Sequence, residues 1–276
     1  MFLSKLRKPV DSYAPSVGLL YRLLRDVAVR RSARVTRYGF TLAGDPTMAC
    51  DDYEVAEANA FLELSHTHDV VIDVGANVGL YSCLAASQGK NVLSFEPSER
   101  NLKYLYRNLW QNRFQGVEVF PLGLTERAGL KRLYGFGGIS SFVLGWVQAR
   151  EDRFAIVPVT TLDKIVADRF RGQRLLIKID VEGSELEVLA GARRTLDLSP
   201  KPTWMIEILL ASETIPGGIN RRFAEVFEVF WSHGYECKKL NAKRNPVTPE
   251  DVRRWVTNGL VDDETHDFLF FHSEQG

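Results

Sequence analysis

The run Asp73-Val-Gly-Ala-Asn-Val-Gly79 constrains this chain more than any other. It lies where the apolar Val70, Val71 and Ile72 give way to the helix-periodic Leu80, Leu84 and Ala85. A second acid, Glu96 in Phe95-Glu96-Pro97, closes the next apolar run about twenty residues further on. This is the layout of a nucleoside-cofactor site at the start of a doubly wound sheet. Glycines let the backbone approach a ligand, and an acid ending the second strand accepts hydrogen bonds from ribose hydroxyls.

The first loop departs from a dinucleotide fingerprint. In G-x-G-x-x-G a helix N-terminus faces a pyrophosphate. Here Asn77 replaces the middle glycine and the loop opens on Asp73, whose carboxylate repels phosphate. An acid there suits a ligand bearing an ammonium and a sulfonium, as S-adenosylmethionine does. NAD stays the alternative, because a glycine pattern alone is weak evidence. A further run, Leu175-Leu-Ile-Lys-Ile179, has the length and apolarity of a buried parallel strand. It ends in Asp180-Val-Glu182-Gly183, followed by a helical pattern with Leu186, Leu189 and Ala190 on one face. Open α/β sheets bind ligands beyond the carboxyl ends of their strands. Asp73, Glu96, Asp180 and Glu182 are therefore expected at one rim, an arrangement that is costly unless something cationic binds there.

Four blocks together resemble the FkbM-type methyltransferases, within the class I S-adenosylmethionine-dependent methyltransferases. They are VVIDVGANVGLYS (Val70 to Ser82), SFEPSERNLKYLYRNL (Ser94 to Leu109), VTTLD (Val159 to Asp163) and IKIDVEGSELEVLAGA (Ile177 to Ala192). The resemblance covers roughly Val70 to Leu209, with a tail to Phe268–His272. It implies an α/β fold: a mostly parallel, seven-stranded Rossmann-like sheet with an antiparallel last strand. It also implies S-adenosylmethionine as cofactor, with S-adenosylhomocysteine as product, and O-methylation. The acceptor implied is a hydroxyl on a glycan or another small molecule such as a secondary metabolite. The first seventy residues carry no motif of the family.

Position then suggests roles. Asp73 would order the first loop and meet the methionine ammonium, directly or through water. Gly75 and Gly79 would allow close approach of the backbone, and Asn77 would bond the amino-acid part. Glu96 would accept both ribose hydroxyls, with Pro97 and Ser98 shaping the adenine edge. A hydroxyl is a poor nucleophile until its proton leaves, so a positioned base is expected. Asp180 is the first candidate and Glu182 the second, unless Glu182 is only a first-turn acid favoured by the helix dipole. Glu207, inside Trp204-Met-Ile-Glu-Ile208, is either a substrate contact or a structural anchor.

Two other classes stay open: a non-catalytic S-adenosylmethionine-binding partner or sensor, and an NAD-dependent oxidoreductase. No metal is expected, since no Asp-Asn pair follows Leu209. His66 and His68 have no evident third ligand nearby and are expected in a solvated turn. Nucleic acid is not expected as a partner, because there is no Asn-Pro-Pro-aromatic run and the basic segment has little aromatic interleaving.

Charge is unevenly spread along a chain of 276 residues with formal net charge zero. Residues 1–40 hold nine Lys and Arg against Asp11 and Asp26, so they carry +7 and the remainder −7. Leu20, Leu23, Leu24 and Val27 repeat at helical spacing, which predicts a basic amphipathic helix over Ser16 to Arg31. It is expected to be either a lid or a contact for an anionic membrane surface or substrate. The expected division is an extension over 1–69, helical with a hairpin near Arg34 to Asp45, and a methyltransferase domain over 70–276 with an insertion at about 130–159. No apolar run approaches the roughly 20 residues of a membrane span. The N-terminus lacks the apolar core of a signal peptide. Cys50, Cys83 and Cys237 are too scattered for a disulfide framework, so a cytoplasmic enzyme is expected, with a location peripheral to the membrane as the alternative.

Overall fold

The computed structural model describes residues 33–273, apart from 45, 51–52, 137–138, 147–150 and 242. The basic helix expected over Ser16 to Arg31 lies outside the described residues. The chain divides into two units, Met1–Tyr53 and Glu54–Gly276. In the first, Arg34–Val35 pairs antiparallel with Thr41–Leu42. Their turn is closed by Thr36, whose backbone N–H (2.8 Å) and hydroxyl (2.9 Å) both donate to the Phe40 carbonyl. A 3₁₀ turn, Pro46–Ala49, follows.

The second unit is a mixed α/β structure around a seven-stranded sheet. Its strands are β1 (Val70–Val74), β2 (Asn91–Phe95), β3 (Val117–Phe120), β4 (Leu175–Ile179), β5 (Thr203–Glu207), β6 (Glu236–Lys239) and β7 (Asp267–Phe271). Their spatial order is β6-β7-β5-β4-β1-β2-β3. β1 to β5 are parallel, and β7 runs antiparallel to both β5 and β6. The order reverses between β1 and β4, and a crevice opens at such a point beyond the strand ends. β1 and β4 are buried along their whole length, which is why they appear as near-continuous apolar runs.

Helices follow the periodicity of their apolar faces. The helix α1 (Val55–His66) buries Ala58 and Phe61, the latter edge-on to Tyr81 of α2 (Leu80–Ser87) at 5.0 Å between ring centres. It begins at Val55, because Glu54 sits at φ 43, outside the right-handed helical region. α3 (Glu99–Gln111) turns Asn101, Leu105, Asn108 and Leu109 inward. Three short helices come next, α4 (Leu162–Val166), α5 (Glu185–Ala190) and α6 (Arg193–Leu196). α7 (Phe223–Ser232) buries Phe223, Val226, Phe227 and Phe230. Phe230 stacks on Phe270 at 4.0 Å and Phe227 meets Phe268 edge-on at 4.9 Å, which fixes α7 on β7. Each such ring removed from water contributes about 1.5–3 kcal/mol. α8 (Pro249–Asn258) opens with a capping box: Thr248 accepts from the Asp251 N–H while the Asp251 carboxylate accepts from the Thr248 N–H.

Between β3 and β4 the chain builds a second sheet of four strands. Gly123–Leu124 pairs parallel with Phe154–Thr160, which pairs antiparallel with Gly129–Phe136, and that strand with Ile139–Ser141. One expectation is corrected near β1. His66 is exposed, but His68 is buried rather than solvated. A neutral His68 ring satisfies both its partners, with Nδ1 donating to the Leu64 carbonyl (2.6 Å) and Nε2 accepting from the Thr203 hydroxyl (2.9 Å). Burial holds this imidazole below the usual histidine range. No helix among the described residues is long and apolar enough to cross a membrane.

Candidate active site

The half of the rim formed by β1 and β2 is built around two buried carboxyls. Asp73, 1% exposed, is next to last in β1. Its Oδ2 accepts from the Ser82 hydroxyl at 2.6 Å, and Ser82 Oγ lies 2.7 Å from Ser94 Oγ. A hydroxyl has one proton, so with Ser82 donating to Asp73, Ser94 donates to Ser82. Asp73 is thus turned into the body of the sheet between α2 and β2. Burial pushes its carboxyl up, and the nearby Lys178 ammonium opposes this.

Glu96, 4% exposed, follows β2. Its Oε2 accepts from the Asn77 N–H (2.8 Å) and its Oε1 from the Ser98 N–H (2.7 Å). The carboxyl therefore joins the loop after β1 to the start of α3, where Ser98 is the N-cap and Pro97 is half-buried. Burial raises it to about 7, against hydrogen bonds from Ser98, Asn77 and Asn101. The loop itself turns on left-handed backbone at Gly75, Asn77 and Gly79. Both glycines sit close against other parts of the protein. A Cβ at Gly75 would lie 1.8 Å from the Asp180 carbonyl oxygen, and one at Gly79 would lie 2.5 Å from Leu105 Cδ1.

The half formed by β4, β5 and β7 is a group of acids around one buried ammonium. Lys178 is 3% exposed and is the register partner of Asp73. Its Nζ lies 3.1 Å from Asp180 Oδ2 and 4.3 Å from the centre of the Tyr81 ring. The Tyr81 hydroxyl donates to Glu54 Oε2 at 2.6 Å. Asp180 keeps 31% of its side chain in solvent. Burial would raise its carboxyl, but Lys178 and the bond from Glu207 outweigh that and hold it below the usual carboxylate range. Glu207 moves the opposite way. The Asp180 charge first, then burial and Asp267, push it well above the usual range, so it keeps its proton and donates to Asp180. Asp267, the register partner of Glu207, is raised to about 8 by burial.

Glu182 follows β4 on left-handed backbone, φ 53. Its carbonyl accepts from the Ser141 hydroxyl (2.6 Å) and its Oε2 from Trp146 Nε1 (3.3 Å), both in the segment after the second sheet's last short strand to be paired, Ile139–Ser141, or in that strand itself. Burial, then the Asp180 charge, raise Glu182 to about 7. It precedes α5 and is not a first-turn acid; Glu185 and Glu187 fill those places. Glu185 is buried, accepts from the Gly183 N–H at 2.9 Å, and is raised to about 7 by burial.

The profile of the methyltransferase FkbM domain matches residues 73–237, more than half of the chain and all of the rim just described except Glu54 and Asp267. The chain belongs to the FkbM methyltransferase family. Among individual proteins it is similar to the hexuronic acid methyltransferase AglP of Haloferax volcanii, 30% identical over 137 residues, or 49% of this chain and 54% of AglP. It is also 30% identical over 160 residues to the AMB antimetabolite synthetase AmbE of Pseudomonas aeruginosa, covering 44% of this chain and 8% of AmbE. The chain thus spans about half of one relative and a small part of the other. Among solved structures, an FkbM methyltransferase from Methylobacillus flagellatus KT is 21% identical with a TM-score of 0.46, over 75% of this chain and 44% of that one.

Within this FkbM domain the structure brings Asn77, Glu96, Pro97 and Ser98 together at one end of the crevice, and Asp180, Glu182 and Glu207 at the other. Gly75 joins the two by its contact with Asp180. The Asp73 carboxylate is buried and accepts from the Ser82 hydroxyl on α2. Residue patterns alone miss Lys178, Glu185, Asp267 and Trp146. A lysine inside the apolar run of β4 is a legible signal, because a buried charge needs a partner. Trp146 had none. Among the described residues no group of three or more His, Cys, Asp or Glu side chains is placed to hold a metal ion.

Proposed function

We propose that this chain is an S-adenosylmethionine-dependent O-methyltransferase whose acceptor is a hydroxyl on a glycan or a secondary metabolite. Membership of the FkbM family supports the methyl donor. The observation that carries the cofactor assignment is Glu96, buried at the end of β2, one strand from the switch point of a sheet we take as doubly wound and Rossmann-like. Each Glu96 oxygen accepts one backbone N–H. With the Asn101 side chain as a third donor, about one of the roughly four acceptor sites of an ionised carboxylate is left for a ribose hydroxyl. The cofactor, when bound, supplies a methyl group on a sulfonium. Asn77 and the loop around it hold the amino-acid part, and Pro97 and Ser98 border the adenine.

On the acceptor side, an effective base has its pKa near the working pH. Glu182, at about 7, meets that condition better than Asp180, which Lys178 holds ionised and weakly basic. We therefore assign proton removal to Glu182, and orientation of the acceptor hydroxyl to Asp180. Glu207 stays protonated and keeps Asp180 in place. The sugar class of acceptor is carried over from AglP, a hexuronic acid methyltransferase.

A thermal-shift titration tests the cofactor. S-adenosylhomocysteine is expected to stabilise the protein, by about 2.7 kcal/mol at 100 times its Kd, and Glu96→Ala to abolish the shift. Stabilisation by NAD alone would overturn the reading. Transfer from methyl-labelled S-adenosylmethionine into a fractionated cell extract then tests the chemistry, with label expected from wild type and not from Glu182→Gln. Tight cofactor binding with no transfer into any fraction would favour a sensor.

A further inference from the structure

The segment from Ser141 to Trp146 is attached to the loop after β4 in three ways. The Ser141 hydroxyl, itself oriented by the Val143 N–H (2.9 Å), donates to the Glu182 carbonyl. Trp146 Nε1 donates to the Glu182 carboxylate. The Trp146 ring lies flush on Gly183, where a Cβ would sit 2.6 Å from ring carbons. The same segment is anchored at two further points. A Cβ at Gly123 would meet the Phe142 ring at 2.4 Å, and one at Gly145 would meet Pro216, in the loop after β5, at 3.2 Å. Ser141 and Trp146 are both buried. Glu182 has left-handed backbone, which a side chain with a Cβ adopts only when its surroundings impose it.

We infer that Trp146 and Ser141 are positioning residues, which clamp the loop Val181 to Ser184 from the second sheet and hold the Glu182 carboxylate at the rim beside Asp180. The second sheet is then a fixed wall of the acceptor side rather than a flap over it. This rests on the assignment of Glu182 as the base, and the clamp can be measured without that assignment. The charged groups facing Glu182 are Asp180 and Lys178 from β4 and its end, and Glu185 from α5. The clamp contributes none, since residues 139–146 and 216–218 contain no ionisable side chain. Its indole N–H favours the ionised carboxylate, and Ser141 acts on the backbone alone.

Two variants separate these actions. Trp146→Phe keeps a ring on Gly183 and removes the N–H. Ser141→Ala removes the backbone tether. The readouts are ¹³C-carboxyl titration of glutamate-labelled protein, with the Glu182 signal assigned by its loss in Glu182→Gln, and amide hydrogen exchange of residues 181–184. Trp146→Phe is expected to raise the Glu182 midpoint by about one pH unit, the size of one charge-assisted hydrogen bond. Its acid limb of label transfer should move equally, with acceptor KM unchanged. Ser141→Ala is expected to speed exchange across the loop about tenfold while leaving S-adenosylhomocysteine binding intact. An unchanged midpoint and unchanged exchange in folded variants would overturn the clamp. If Trp146→Phe fails to fold, Ser141→Ala, the loss of one hydroxyl, decides by exchange. Absence of label transfer by wild type would refute the proposed function, and both spectroscopic readouts would still judge the clamp.

Discussion

Lys178 is 3% exposed, whereas its partner Asp180 keeps 31% of its side chain in solvent, so the two charges respond differently to loss of the other. Asp180→Asn leaves an ammonium inside the protein with its nearest carboxylate gone. Breaking a buried pair costs roughly 3–5 kcal/mol, and the low end is expected here because Asp73 remains nearby. Glu207→Gln is a milder change. The acid already carries a proton, and an amide N–H can replace the O–H that it donates to Asp180, so a cost within about 1 kcal/mol is expected. Urea midpoints at unchanged m-value check both, and a wild-type midpoint for Asp180→Asn would mean that other acids suffice for Lys178. The acids themselves were legible as polar ends of apolar runs. Their partners were not, because alternation along a strand gives the face of Asp73 but not that a serine on α2 will take it. His68 was illegible for the same reason: its partner Thr203 is 135 residues away.

The strands β1, β2, β4, β5 and β7 show in the sequence because each is a short apolar run that the sheet buries. The contacts between elements depend on close approach, and a glycine marks that something is near without naming it. Gly75 and Gly172 make the point, since both have left-handed backbone, φ 85 and φ 77. Around Gly172 nothing lies within 4 Å of an added Cβ, so Gly172→Ala meets only the backbone penalty of roughly 1–2 kcal/mol. At Gly75 the obstacle is the backbone of the loop after β4, which cannot rotate away. Overpacking adds about 1–3 kcal/mol, so Gly75→Ala is expected to cost about 2–5 kcal/mol. It should also part the two halves of the crevice and weaken S-adenosylhomocysteine binding. Equal urea midpoints for the two variants would show that the loops do not press together at that point. The clamp on Glu182 has no such marker. Trp146 lies 36 residues from its partner in a segment without a helical or strand period.

At the scale of the whole molecule, the rim makes stability depend on pH in an unusual direction. A carboxyl raised by burial keeps its proton in the folded state when the unfolded chain has already lost it. Folding then binds protons, and the stability it contributes is present below about pH 4 and declines as pH rises to the folded value. Glu96, Glu182 and Glu185 are raised to about 7 and Asp267 to about 8, so their decline spans about pH 4.5 to 8. Each contributes a slope of at most about 1.4 kcal/mol per pH unit. His68 works in the opposite direction, because its lowered value means stability lost as pH falls below about 6.5. One histidine against six raised carboxyls, counting Asp73 and Glu207, leaves the acid side favoured. The ligand-free protein is therefore expected to have its highest Tm near pH 4 to 5 and to lose stability from there towards pH 8. Glu96→Gln should flatten that decline, because the amide has no proton to hold. S-adenosylhomocysteine should stabilise by more at pH 8 than at pH 6, since hydroxyl donors at Glu96 reward the ionised carboxylate that the empty fold disfavours. Scanning calorimetry across this range, with and without S-adenosylhomocysteine, measures all three. A Tm that rises steadily to pH 8 would mean that water or a rearranged loop relieves these carboxyls before they meet a ligand.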